Sequence, residues 1–108
     1  MAYHLGASAY ITDRYLSINV EFGDDNSITP QFVKSVVITI KDKEGLELRT
    51  LETISSYSNS DGCFKLGTIL FDEEKPSVAY INANTTKGKF KTSCEVSTQP
   101  NTITSEQF

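Results

Sequence analysis

The sequence predicts an all-β sandwich of seven or eight short antiparallel strands, and three observations carry that expectation. Residues 15–22 alternate without interruption, with Leu16, Ile18, Val20 and Phe22 on one face and Ser17, Asn19 and Glu21 on the other, the period of a strand with one wet face. Residues 36–49 read as a β-hairpin: an arm dense in β-branched residues, a polar link ending in Gly45, and an arm in which Leu alternates with charge. No window keeps a helical period for longer than a turn.

Taken in order, residues 1–8 are small and weakly patterned and read as an N-terminal arm or a first edge strand, with a short strand over 9–12. After the strand at 15–22, Gly23-Asp24-Asp25-Asn26-Ser27 supplies residues that accept turn angles and bond the nearby backbone. Thr29 is held extended by the ring of Pro30. Val36, Ile38 and Ile40 share a face with Val37 on the other, so this strand reads as more buried than its neighbours. Asp42-Lys43-Glu44-Gly45 fits a type I turn followed by a glycine at positive φ. Leu46, Leu48, Leu51 and Ile54 then break period two, which predicts an irregularity near Thr50.

Residues 55–62 form a polar loop closing on Asp61-Gly62, and 63–71 resume strand character with Phe64, Leu66, Thr68 and Leu70 on one side. A charged loop, Asp72-Glu73-Glu74-Lys75-Pro76, leads to a strand over 77–85 in which Val78 and Tyr80 oppose Ala79, Ile81 and Ala83. The chain turns at Thr86-Lys87-Gly88, and Phe90, Thr92, Cys94 and Val96 point inward from the last strand. Residues 97–108 are rich in Ser, Thr, Gln and Asn and read as a flexible tail. The expected organisation is one domain over residues 1–96, with its N-terminal arm, and a tail over 97–108.

A chain of 108 residues buries roughly 65% of its unfolded surface, enough for one core without metal or disulfide staples. Ten Lys and Arg stand against fourteen Asp and Glu, a net charge of −4 that disfavours nucleic acid as a partner. No apolar run approaches the ~20 residues of a membrane-spanning helix, so no membrane insertion is expected. Met1-Ala2-Tyr3-His4-Leu5 lacks the pattern of a signal peptide, which predicts synthesis in a cytoplasm, with a virion as one destination. Cys63 and Cys94 leave three readings open: two free buried thiols, a disulfide between strands, or a metal pair. Against the last, there is no C-x-x-C spacing, and His4 is the lone histidine.

Val36-Val37-Ile38-Thr39-Ile40-Lys41-Asp42 with Gly45, followed by Ser58-Asn59-Ser60-Asp61-Gly62-Cys63-Phe64, resembles the strand, D-x-x-G turn and S-D-G-x-F turn of carboxypeptidase regulatory-like and other prealbumin-like domains. Such turns recur among immunoglobulin-like sandwiches for backbone reasons. The resemblance implies an immunoglobulin-like sandwich serving as an accessory, non-catalytic domain, and it carries over no functional residues.

Catalysis needs a base, a nucleophile and an oriented third group, and one histidine near a terminus does not assemble them; no enzyme is expected. Asp24-Asp25 and Asp72-Glu73-Glu74 sit where turns place solvated charge and lack the alternating ligand spacing of a calcium loop, so neither metal nor cofactor is expected. Lys87, Lys89 and Lys91 read as guards of an exposed sheet edge. Tyr3, Tyr10, Tyr15 and Tyr57 fall in or beside loops and strand ends, where tyrosine brings large contact area with few rotatable bonds; they are the candidate binding residues. The expected function is a non-enzymatic structural or protein-binding module, a component of a virion or cell-surface assembly, with protein partners that include copies of itself. The alternative is a soluble domain that binds carbohydrate or acts as an inhibitor, its loop Tyr and Asn side chains lining a shallow site.

Overall fold

A computed structural model describes residues 3–24, 33–54, 63–98 and 104–107. Eight strands follow one another: β1 (Tyr3–Thr12), β2 (Tyr15–Asp24), β3 (Val33–Lys41), β4 (Glu47–Ile54), β5 (Cys63–Ile69), β6 (Val78–Thr85), β7 (Gly88–Ser97) and β8 (Thr104–Gln107). No helix occurs among the described residues. The strands hydrogen-bond in the order β4-β3-β6-β7-β1-β2-β5, with β8 added to β1, and this single sheet curls into a nearly closed, barrel-like wrap.

Antiparallel pairing is not universal, which corrects one expectation. β1 runs parallel to β7, Ala9 opposite Val96 and Tyr10 opposite Ser97, while every other pair is antiparallel. Turn chemistry dictates direction only between strands joined by a tight hairpin, and β1 and β7 are joined by most of the chain.

The strand at residues 15–22 is the simplest success of period two, since Leu16, Ile18, Val20 and Phe22 are all buried. Its partner β1 departs further from expectation. Rather than an arm or an edge, it carries β2 along one side and shares the other between β8, at His4 to Ala7, and β7, at Ala9 and Tyr10. Residues Leu5 to Ala9 are all buried. A strand covered on both faces and built from Gly6, Ala7, Ser8 and Ala9 shows no alternation, so the pattern that reveals β2 is missing from β1. Residues 104–107, inside the stretch read as a tail, form β8 against β1.

Turns are held by local side chains. Asp13 opens the β1–β2 link with φ of 56°, left-handed backbone that Asp tolerates better than most residues. In the β3–β4 turn Asp42 Oδ1 accepts the N–H groups of Glu44 and Leu46, each at 2.9 Å, and Gly45 has φ of 87°. The register passes from Ile40 opposite Arg49 to Lys41 opposite Glu47, leaving Leu48 as the extra residue of a bulge. The irregularity thus lies two positions before Thr50, at the turn rather than within the strand. At the β6–β7 turn Thr85 Oγ1 accepts the Lys87 N–H at 3.0 Å and donates to the Gly88 carbonyl at 2.8 Å.

The core lies between the two halves of the curled sheet. Leu5, Leu16, Ile18 and Phe64 come from one half, and Val36, Ile38, Ile40 and Ile81 from the other. Each such side chain contributes about 1.5–3 kcal/mol on leaving water, so this layer is the main source of stability. Tyr3, Phe22 and Phe90 add a cluster that joins β1, β2 and β7, with ring centroids 5.1–5.9 Å apart.

Candidate functional site

Three connections gather at one end of the molecule: the β1–β2 turn, the β3–β4 turn and the loop over residues 70–77. The loop is tied to its neighbours by backbone bonds, Leu70 N–H to the Arg14 carbonyl and Ser77 N–H to the Lys41 carbonyl, both 2.8 Å. A carboxylate completes the anchoring. Glu74, only 11% exposed, accepts two bonds from Arg49 of β4 at 2.5 and 2.7 Å, and its Oε1 also accepts the Phe71 N–H at 2.7 Å. Arg49 in turn lies over the Phe71 ring, 5.3 Å from its centroid. β4 and β5 do not pair, so Glu74 bridges the gap between the two ends of the sheet.

This anchored end exposes large apolar side chains. Ile69 is 67% exposed, Leu46 64%, Phe71 62% and Tyr15 50%. Tyr15 and Ile69 are cross-strand neighbours, and Phe71 follows two residues later. A groove of about 510 Å3 runs beside them between Ile11, Arg14, Phe71, Lys75 and Val96, and its lining includes the exposed ion pair Arg14–Asp72 at 3.5 Å. Large apolar side chains exposed together at one end of a domain are a usual mark of a contact surface.

The four candidate tyrosines separate. Tyr15 belongs to the apolar end, and its ring lies over Gly67 of β5, where any Cβ would overlap it. Tyr10 shares with Tyr15 a second groove of about 400 Å3, which also includes Ser17, Asn19 and Lys65. Tyr3 is half-buried, its ring packed on Phe22 and Phe90. Tyr57 lies outside the described residues.

No family model matches the chain, and no curated protein matches it significantly.

Ile69, Phe71 and Leu46 were missed as surface residues by reasoning on tyrosine alone. The signal was present, because placing Phe64, Leu66, Thr68 and Leu70 inward puts Ile69 and Phe71 on the opposite parity. Other groups singled out in the sequence are spoken for. Glu74 is committed to Arg49 and Asp72 to Arg14, so the acidic run does not converge on one point. Lys89 and Lys91 are exposed on β7 where it pairs with β6; β7 meets β1 only at Val96 and Ser97, so among the described residues no strand lies on its other side at these two lysines. Cys94 is a free thiol on β7, where burial pushes its pKa from 9.0 up to about 11, and a thiol that holds its proton is a poor nucleophile or metal ligand.

Proposed function

We propose that the chain is a non-enzymatic protein-binding module with an immunoglobulin-like sandwich fold, and that it works as a component of a larger assembly such as a virion or cell-surface structure. Strand order supports the fold. Immunoglobulin-like sandwiches place strands A, B, E and D in one sheet and C, F and G in the other, with C′ added beside C in variable-type domains, and among the described residues no strand stands for D. In chain order β1, β2 and β5 take the places of A, B and E, β3, β6 and β7 those of C, F and G, and β4 the place of C′.

The observation that carries the binding reading is the exposed apolar side chains at this end, Tyr15 and Ile69 as neighbours on β2 and β5 and Phe71 on the loop that Glu74 anchors, with Leu46 on the β3–β4 turn. Rigid presentation lowers the ordering cost of association, and clustered aromatic and aliphatic anchors supply its main driving force. A photo-crosslinking residue placed at Phe71, against a control at Ser93 on β7, tests this in the cells that make the protein. Crosslinks to protein are expected from position 71 and not from position 93. Equal yields from both, or none from 71, would overturn the reading.

One observation favours a second reading, carbohydrate recognition. The groove beside Tyr10 combines the Tyr15 ring with Ser17, Asn19 and Lys65, an aromatic face with convergent polar groups. Asn19→Ala and Phe71→Ser separate the two readings: glycan binding responds to the first substitution and protein binding to the second.

A further inference from the structure

The outward face of β1, β2 and β5 follows from the pairing register. Tyr10, Ser17 and Gly67 form one row across the three strands, and Asn19 and Lys65 lie in the next. Leu16, Ile18, Val20 and Phe64 are buried on the inner face, so the residues that alternate with them sit on the outer one. Tyr15, on the far side of Ser17 from Asn19, leans across to β5, where its hydroxyl end occupies the space that a Cβ at Gly67 would take. With glycine beneath it the ring lies along the sheet, and the residue remains 50% exposed. Tyr10, Tyr15, Ser17, Asn19 and Lys65 line the resulting groove of about 400 Å3, in the lower part of the range for small-molecule sites.

Resting on the carbohydrate reading above, we infer that this groove takes a sugar unit that bears a carboxylate: the sugar ring on Tyr15, its hydroxyls on Ser17 and Asn19, and its carboxylate on Lys65. Three observations select that ligand. Lys65 is the one charged residue of the lining, no carboxylate accompanies it there among the described residues, and it belongs to neither described ion pair, so its ammonium group is available to an anion. From Tyr15 to Glu21, β2 is paired with β1 on one side and with β5 on the other, so its backbone N–H and C=O groups are taken. An extended peptide that recognises a sheet through backbone bonds gains none here, whereas a hydroxyl-rich ligand is met by side chains alone. An aromatic face beside short polar side chains matches a sugar ring, which has an apolar C–H face and a polar rim. Asn19 and Lys65 are cross-strand neighbours, which sets an amide and the ammonium group side by side at one end of the groove.

NMR titration of the full chain with trigalacturonate and sialyllactose, against galactotriose and lactose as neutral counterparts and triglutamate as an acid without a sugar, tests the assignment. The acidic sugars are expected to shift the Tyr15 ring, the Asn19 side-chain amide and the Gly67 N–H, and to bind about tenfold or more tighter than the neutral ones. Lys65→Gln should remove that preference and leave neutral binding as it was, while Tyr15→Leu should weaken acidic and neutral sugars alike. Both positions are exposed, so matched thermal melts exclude misfolding as the cause. If neutral sugars bind as well as acidic ones, or Lys65→Gln leaves the preference intact, the carboxylate assignment is wrong and the carbohydrate reading stands. Triglutamate binding as tightly as the acidic sugars, or indifference to Tyr15→Leu, overturns the sugar ring's place on Tyr15. If no sugar moves these resonances, the inference and the carbohydrate reading both fail.

Discussion

The strands at the two ends of the order β4-β3-β6-β7-β1-β2-β5 are protected in different ways. β4 carries Glu47, Arg49 and Glu52 in eight residues and is interrupted by the bulge at Leu48, next to a turn that Asp42 and Gly45 hold in place. β5 has seven residues with Lys65 as its one charge, an unbroken register, and a glycine covered by the ring of Tyr15. Charge and irregularity discourage another strand from pairing, so among the described residues β4 reads as a guarded edge and β5 as an unguarded one. Exposure at the end of a sheet is thus not one property. What matters is which side chains and which backbone groups share it.

The largest effect should come from the residue that links the two edges. Glu74→Ala strands a half-buried Arg49 and frees the Phe71 N–H, and is expected to cost about 2–3 kcal/mol in urea unfolding, from the loss of charge-assisted bonds that are partly out of water. A loss below about 0.5 kcal/mol, the range of an ordinary surface substitution, would mean that the sheet ends are held independently. Gly45→Val acts on the β4 side alone. Left-handed backbone with a β-branched side chain should cost about 1–2 kcal/mol, against under about 0.5 kcal/mol for Lys43→Val in the same turn. Equal melting temperatures for the pair would remove the turn as the guard of β4.

On the β5 side the expected effect is smaller and of another kind. Gly67→Ala pushes the exposed Tyr15 ring aside, and because alanine also stiffens the strand, stability should change by no more than about 1 kcal/mol. The ring resonances of Tyr15 should nevertheless shift in NMR spectra. Unmoved resonances would break the contrast, since the unguarded edge would then not depend on that ring. Cys94 supplies a baseline away from both edges. Its thiol keeps its proton to higher pH in the folded chain than in the unfolded one, so its contribution is full below about pH 9 and is lost as pH rises towards about 11. Melts of wild type and Cys94→Ser across that window should converge slightly, and a wild type that gains stability there would contradict a buried, neutral thiol.

Much of the fold was legible because it is written in local chemistry. The alternation in β2, the inward residues of β6 and β7, and the Asp42–Gly45 turn each depend on neighbours within a few positions. β1 was hard to read because its small residues are buried on both faces and carry no period. The candidate surface was half legible. Tyr15 was found by residue type, while Ile69 and Phe71 needed parity along β5 to be taken seriously. Arg49 and Glu74 gave no local sign at all, being 25 residues apart and meaningful only across the gap between β4 and β5.

By itself, the sequence determined that this protein is all-β, where most of its strands lie and which side of each faces inward, because period and turn propensity act over a few residues. Only the tertiary structure decided that β1 lies within the sheet, that it meets β7 in parallel, and that β5, with its one charge, ends the order of the described strands beside an apolar end. Those outcomes depend on which distant strands come together, and pairing between distant strands is set by how the whole core closes rather than by any one segment.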